Sequence, residues 1–262
     1  MKYFLTALLL IALPHNVYAA LHTETIEYKH GDVTLEGYLA YDKSIKGKRP
    51  GVLVVHEWMG LGKYAKKRAE QLADLGYIAL AVDMYGKGVR PQNTDEAAKQ
   101  ATIYKSDRPL MRARVMAGLD LLSVHKLTDT KRIAAIGYCF GGTTVLELAR
   151  SGADILGVVS FHGGLDTPNP AETKNIKVKV LALHGADDPY VPKDQVAAFE
   201  EEMRKANADW QLVSYGGAVH SFTNPDSGND STKGAAYNES ADKRSWEAMK
   251  QFFAEIFNQG KK

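Results

Sequence analysis

The sequence predicts an α/β fold in which a mostly parallel central sheet is flanked by helices. Short, almost unbroken apolar runs alternate along the chain with segments whose apolar residues recur at helical spacing. Such runs are typical of strands that are covered on both faces, and their alternation with helices favours a parallel sheet. With 262 residues and 45% hydrophobic content, the chain can bury one substantial core. We therefore expect a single domain over residues 20–262.

The individual elements follow from the same patterns. Residues 23–29 and 33–41 alternate polar and apolar side chains around Gly31-Asp32, which predicts a hairpin at an antiparallel edge of the sheet. Apolar runs predict further strands at residues 51–55, 78–82, 133–136, 156–161, 178–183 and 210–215. Helical stripes contain, among others, Ala69, Val115, Val145, Phe199 and Phe253. Residues 86–109, 163–176 and 224–238 are predicted to be irregular loops.

The first nineteen residues have the composition of a secretory signal peptide. Lys2 gives a positive start, an apolar stretch follows over residues 4–13, and Val17-Tyr18-Ala19 provides small residues at a cleavage site. The apolar stretch is too short to span a membrane. We expect cleavage after Ala19 and a periplasmic or secreted protein.

Composition limits the partners of the exported chain. The formal net charge is +2, and no basic run or aromatic–basic patch occurs, so neither nucleic acid nor a membrane surface is an expected partner. A small-molecule substrate and a monomer are the expectation. The single cysteine, Cys139, cannot form an internal disulfide, which makes it a candidate for chemistry in an oxidising compartment.

Cys139 lies in a glycine-rich turn between a predicted strand and a predicted helix. Residues 137–142 read G-Y-C-F-G-G, so Gly137 and Gly141 flank the cysteine in the G-x-nucleophile-x-G pattern of a nucleophile elbow. The N-terminus of the following helix favours a thiolate and a neighbouring oxyanion. Most lone cysteines are simply small buried apolar residues. The flanking glycines and the partners downstream favour a nucleophile here.

Two further loops supply the partners of a cysteine nucleophile. Residues 184–192 (H-G-A-D-D-P-Y-V-P) and 216–222 (G-G-A-V-H-S-F) each follow a predicted strand, where functional groups of α/β sheets gather. Cys139, Asp188 and His220 then occur in the order nucleophile, acid, histidine of an α/β-hydrolase triad. Asp187 is an alternative acid, and both aspartates could instead only form a turn. His184 is interpreted as a core histidine.

These motifs resemble the dienelactone hydrolase family of α/β-hydrolases. The resemblance rests on the G-x-C-x-G-G elbow, on Glu57 and a bulky residue after a strand, on the H-G-x-x-D-x-x-V-P loop and on H-x-F at residues 220–222. It extends from about residue 23 to residue 257. It implies an α/β-hydrolase fold without a large lid domain, no cofactor, and attack by the cysteine on an ester or lactone carbonyl. It also implies that Glu57 contacts the resting thiol and helps to gate its ionisation.

The oxyanion hole is predicted to consist of backbone N–H groups on Phe140 and Trp58, one after the nucleophile and one after the first central strand. No metal site is expected. His56 and Glu57 do not form a zinc helix, because no second histidine follows four residues later and the segment is strand-like.

Substrate contacts are the least constrained part of the prediction. Candidates are Ser221 beside the histidine and Tyr85, Lys87 and Arg90 after another strand. Family members that open dienelactones hold the substrate carboxylate with arginines, one of them four residues after the histidine. In this sequence that position is Asn224, which cannot supply a charge or a guanidinium fork.

The sequence thus predicts a hydrolase that cleaves carboxylic esters or lactones through a Cys-His-Asp triad and an acyl-thiol intermediate. Acyl transfer or thioester cleavage on the same residues is an alternative. The alternative that is not an enzyme is a non-catalytic α/β-hydrolase relative that binds a ligand or partner. That alternative does not explain why all three triad residues are present.

Overall fold

The computed structural model describes residues 20–258, and the predicted signal peptide of residues 1–19 lies outside them. The strands in chain order are β1 (Leu21–His30), β2 (Val33–Asp42), β3 (Arg49–Val55), β4 (Ile78–Val82), β5 (Thr128–Tyr138), β6 (Gly157–Phe161), β7 (Lys179–Gly185) and β8 (Trp210–Tyr215). The helices are α1 (Lys63–Asp74), α2 (Thr94–Ser106), α3 (Arg108–Val124), α4 (Phe140–Arg150), α5 (Lys193–Lys205) and α6 (Glu239–Phe257). None of these helices is long and apolar enough to cross a bilayer.

All eight strands form one sheet in the order β1-β2-β4-β3-β5-β6-β7-β8. β2 is antiparallel to both β1 and β4, whereas the pairs from β4 to β8 are parallel. The predicted hairpin and its place at the antiparallel edge are confirmed. Parallel order from β3 onward brings the carboxyl ends of β3, β5, β7 and β8 to one edge of the sheet.

Alternate residues of the central strands enter two separate cores. In β3, Leu53 and Val55 belong to the core beneath α3, α4 and α5, while Val52 and Val54 belong to the core beneath α1 and α6. All four side chains are completely buried. Because successive side chains of a strand point to opposite faces, a run of apolar residues is required when helices cover both faces. The predicted fold class is confirmed.

One predicted loop is wrong: residues 86–109 contain helix α2 and the start of α3. The Asn93 side chain accepts a hydrogen bond from the Glu96 N–H at 2.9 Å, and Glu96 reaches back to the N–H of Gln92 at 2.9 Å. This arrangement resembles a capping box and marks a helix start. The apolar stripe is weak, since the helix buries only Ala97, Ala101 and Tyr104. Within residues 20–258, no insertion is large enough to form a lid domain.

A buried ion network holds α4, the helix that follows Cys139, against its neighbours. The fully buried Arg150 guanidinium makes two 2.8 Å hydrogen bonds to Glu202 of α5 and one of 3.0 Å to Glu147. It also donates to the carbonyls of Leu165 and Asp166 in the loop after β6. Each of these buried charges therefore has an opposite charge or a carbonyl as partner, which a buried ion requires.

Replacing Arg150 by Met should destabilise the protein by about 3–5 kcal/mol, because Glu202 would lose the arginine that compensates its burial, whereas Glu147 would keep its contact with Arg112. Urea unfolding measures the difference. Arg204→Met, which breaks an exposed pair with Glu200, is the matched control and should change the free energy of unfolding by less than about 1 kcal/mol. Equal effects of the two substitutions would contradict the proposed importance of the buried network.

Candidate active site

Cys139 occupies a sharp turn between β5 and α4. Its φ of 53° and ψ of −114° are unusual for a residue with a side chain. A backbone of this kind costs on the order of 1–3 kcal/mol and persists only where the surroundings enforce it. The turn lifts the Cys139 side chain to the carboxyl edge of the sheet, where it is partly exposed.

The glycines around Cys139 are required by close backbone approach. A Cβ on Gly137 would lie 2.0 Å from the Gly141 carbonyl oxygen, and a Cβ on Gly141 would lie 2.2 Å from the Val55 carbonyl oxygen. On Gly142 it would lie 2.7 Å from the Cα of Gly163. β5, α4 and β3 thus meet at backbone distance, and no larger residue fits these three positions.

His162, which was not predicted from the sequence, supports the turn at Cys139 from the buried side. The Cys139 N–H donates to the Phe161 carbonyl at 3.0 Å and to His162 Nδ1 at 3.1 Å. His162 is completely buried, and this burial holds its pKa well below the usual range, so the ring is neutral. It directly follows β6, and the rule that singled out residues after apolar strands would have found it.

The second ring nitrogen of His162 connects the turn to the loop that carries His220. Because Nδ1 accepts, the neutral ring has its proton on Nε2, which lies 2.7 Å from the Thr223 hydroxyl. Tyr64 of α1 donates to the same hydroxyl at 2.6 Å, and Arg68 donates to the Thr223 carbonyl at 2.9 Å. Cys139 and the His220 loop are therefore fixed relative to each other through one buried imidazole.

Asp188 and His220 form the pair predicted from the sequence. His220 Nδ1 lies 2.8 Å from Asp188 Oδ2, and the Tyr190 N–H donates to the other carboxylate oxygen at 2.8 Å. The Asp188 side chain is fully buried, whereas Asp187 is exposed and accepts from the Gly217 N–H at 3.0 Å. The structure thus separates the two aspartates and directs Asp188 at the histidine.

Charge around His220 favours the imidazolium. Burial alone would lower the pKa of His220, but interaction with the Cys139 sulfur and the hydrogen bond that His220 donates to Asp188 outweigh it and raise the pKa to about 10. Cys139 is thus close enough to His220 to act on its ionisation. The structure brings all three predicted residues together at the carboxyl edge of the sheet.

The loop after β3, which carries Trp58, is held by two buried rings. His56 Nε2 accepts a hydrogen bond from the Met84 N–H at 3.2 Å, and Nδ1 donates one to the Glu57 carbonyl at 2.5 Å. Burial lowers its pKa to about 4, so this ring is neutral and both nitrogens are occupied. Tyr85 donates to the Trp58 carbonyl at 2.9 Å. Across residues 20–258, no cluster of three His, Cys, Asp or Glu side chains is arranged to hold a metal.

The sequence model of the dienelactone hydrolase family matches residues 35–257. The chain belongs to the dienelactone hydrolase family. A solved dienelactone hydrolase-like promiscuous phosphotriesterase from metagenomic libraries is 41% identical, with a TM-score of 0.87 over 90% of this chain and 99% of that one. A putative carboxymethylenebutenolidase from Aquifex aeolicus is 29% identical over 77% of this chain and 87% of its own length.

A further relative, a probable 2-oxo-3-(5-oxofuran-2-ylidene)propanoate lactonase from Bradyrhizobium, is 28% identical over 76% of this chain and 86% of its own length. The family and these matches identify the chain as a hydrolase of the lactone and ester type. The dienelactone hydrolase resemblance inferred from the motifs is confirmed.

Glu57 has partners other than the thiol that the family resemblance implied. Asn224 donates to Glu57 Oε2 at 2.6 Å, and Ser221 donates to Oε1 at 3.4 Å. Burial raises the pKa of Glu57, while these two hydrogen bonds and the nearby His220 oppose the increase. Asn224, which stands where the family resemblance implies an arginine, therefore binds the Glu57 carboxylate through a neutral amide.

Three of the predicted substrate-binding residues contact other parts of the protein. Arg90 donates to the carbonyls of Leu61 at 2.9 Å and Val89 at 2.7 Å, and it lies beside Asp83. Lys87 pairs with Glu27 on the edge strand. The hydroxyl of the buried Tyr85 donates a hydrogen bond to the Trp58 carbonyl. Substrate contact by these three side chains stays a prediction. Of the four candidates, Ser221 lines the cavity beside Trp58.

His184 is a core residue, as expected. It is buried at the end of β7, its pKa is lowered by burial, and its Nδ1 has no hydrogen-bond partner among the residues described.

Substituting Gly141 by Ala tests the backbone contact that supports the turn. Alanine normally stabilises a helix by about 1 kcal/mol relative to glycine, but here its Cβ would collide with the Val55 carbonyl. We expect a loss of about 2 kcal/mol or more in the free energy of unfolding. In the control Gly216→Ala, the added Cβ meets no atom within 4 Å, so a change below about 1 kcal/mol is expected. A stabilised Gly141→Ala protein would contradict the contact.

Proposed function

We propose that this hydrolase cleaves carboxylic esters or lactones with Cys139 as nucleophile, His220 as acid and base, and Asp188 as the residue that orients and stabilises the imidazolium. The observation that carries the proposal is the 2.8 Å contact of a buried carboxylate with a histidine that faces a cysteine on a strained turn. The order and roles are those of an α/β-hydrolase triad.

In the first half of the reaction, His220 takes the proton of the Cys139 thiol, and the resulting thiolate forms a bond to the carbonyl carbon. The carbonyl oxygen becomes an oxyanion that accepts hydrogen bonds from the N–H groups of Phe140 and Trp58. Phe140 begins α4, so its N–H has no acceptor within the helix. The C–O bond then breaks, and His220 gives its proton to the leaving alkoxide. An acyl-thiol on Cys139 remains.

In the second half, neutral His220 removes a proton from water as the water oxygen attacks the acyl carbon. The C–S bond breaks, the sulfur leaves as thiolate, and the imidazolium–thiolate pair is restored. An ester gives a carboxylic acid and an alcohol, whereas a lactone gives one hydroxy acid.

Removing the sulfur tests the assignment of the nucleophile. With p-nitrophenyl acetate, acid-quenched wild-type protein should carry one acetyl group on Cys139 by mass spectrometry. Cys139→Ala should carry none and should lose at least about 10³-fold in kcat. Undiminished turnover by Cys139→Ala would contradict the assignment of Cys139 as nucleophile. Added alcohols that intercept the acyl group faster than water would instead favour an acyltransferase.

The raised pKa of His220 predicts the alkaline limit of activity. Because the imidazolium is needed to protonate the leaving group, kcat/KM should fall as pH rises through about 10. Asp188→Asn removes a contact that raises this pKa, so the limit should move down by about one pH unit or more, toward the ordinary value of 6.5. An unchanged alkaline limb in Asp188→Asn would contradict the assignment.

A second candidate reaction is phosphotriester hydrolysis. It is favoured by the 41% identity to the promiscuous phosphotriesterase, which this chain matches over 99% of that chain's length. The Cys139 sulfur would attack phosphorus, expel the aryloxide and become S-phosphorylated. Water would then attack phosphorus and release the thiolate. Paraoxon turnover that disappears in Cys139→Ala would support it, and no turnover by wild type would exclude it.

The export proposed from residues 1–19 is independent of this chemistry. N-terminal sequencing of protein recovered outside the cytoplasm should begin at Ala20.

A further inference from the structure

A cavity of about 410 Å³ opens beside the proposed reaction centre. Its wall includes Trp58, which carries a proposed oxyanion donor, and Ser221, which follows His220. A substrate whose carbonyl oxygen faces the Trp58 N–H therefore has a substituent at or inside this cavity. The charges of its wall then decide which substituents it accepts.

Glu57 is the charged residue of that wall that contacts Ser221, the neighbour of His220. It is half-buried and directly precedes Trp58. The other charged residues that line the cavity, Lys63 and Asp226, are both exposed. Exposed charges are screened by water and salt, whereas a half-buried charge is screened much less.

The hydrogen-bond partners of Glu57 are both uncharged, so its negative charge is opposed only by the more distant His220 and Arg68. Asn224 and Ser221 donate from a neutral amide and a neutral hydroxyl. Hydrogen bonds to the charged form favour a carboxylate over a carboxylic acid. Elsewhere in the protein, the buried carboxylates Glu147 and Glu202 each contact an arginine. Of these three acids, Glu57 alone accepts hydrogen bonds from uncharged donors without an arginine contact.

We propose that Glu57, fixed by Asn224 and Ser221, is a specificity-determining residue that makes this site select uncharged or cationic acyl groups and disfavour acyl groups that carry a carboxylate. This inference rests on the proposed function. A second carboxylate placed beside Glu57 would be repelled in a partly dehydrated site, and a quaternary ammonium would be attracted.

Three esters that differ only at the end of the acyl chain test the inference. They are p-nitrophenyl hexanoate, mono-p-nitrophenyl adipate and the p-nitrophenyl ester of 5-(trimethylammonio)pentanoate, which end in methyl, carboxylate and ammonium groups. Each kcat/KM is divided by the rate of hydroxide hydrolysis of the same ester. Wild type should prefer the hexanoate to the adipate by about tenfold or more, and should accept the ammonium ester at least as well as the hexanoate.

Variants then locate the source of the preference. Glu57→Gln should reduce the preference for hexanoate over adipate by about tenfold, because it removes the charge and keeps the shape. Asp226→Asn is the matched control, since it removes the exposed acid of the same cavity and should leave the ratio within about twofold. Asn224→Arg places a cation beside Glu57 while retaining Glu57 itself, and it should also raise the relative rate with adipate.

The outcomes separate the inference from the function on which it rests. If wild type cleaves the adipate as well as the hexanoate, or if both Glu57→Gln and Asn224→Arg leave the ratio unchanged, the inference is overturned although turnover still depends on Cys139. A preference for adipate would also overturn it and would point to Lys63. Turnover of the hexanoate that survives in Cys139→Ala would instead overturn the proposed function.

Discussion

The strained backbone at Cys139 is the constraint on which the rest of the site depends. A residue with a side chain does not adopt φ 53°, ψ −114° unless the chain before and after it is fixed. Here β5 fixes one side and α4 the other, and the glycines at 137 and 141 allow backbone to touch backbone. The ion network at Arg150 joins the far end of α4 to α5 and to the loop after β6. Stability of the fold is thereby used to hold one thiol in an unfavourable conformation.

His162 extends this constraint to the histidine loop. One ring nitrogen accepts from the Cys139 N–H, and the other contacts Thr223, three residues after His220. A neutral imidazole suits this position because it offers one acceptor and one donor on opposite sides of a rigid ring, and burial keeps it neutral. The distance between the proposed nucleophile and its base is therefore set inside the core, below the surface at which substrate binds.

The fold and the proposed triad could be predicted from the sequence because each has a local signature. Doubly covered strands require unbroken apolar runs, and the turn at Cys139 requires glycines at fixed spacing. Helix α2 was missed because it buries only a narrow stripe of residues, and its capping residues, Asn93 and Glu96, were the signal available. The contact of Asn224 with Glu57 could not be predicted, since it joins residues 167 positions apart and depends on side-chain conformation. For the same reason, the contacts of Lys87 with Glu27 and of Arg90 with Asp83 could not be predicted.

Residues that support the turn at Cys139 and residues that line the cavity differ in how strongly their surroundings constrain them. Gly137, Gly141 and His162 meet backbone or buried partners, so a change at any of them disturbs the position of the thiol. Met59 and Asn224 line the cavity with their side chains, and a substitution there alters the wall while the turn at Cys139 keeps its supports. A fold of this kind can therefore retain its reaction while its substrate changes. Asn224 stands where the family resemblance implies an arginine, and it is a residue of the second kind. A neutral amide at this position leaves the cavity wall without that positive charge.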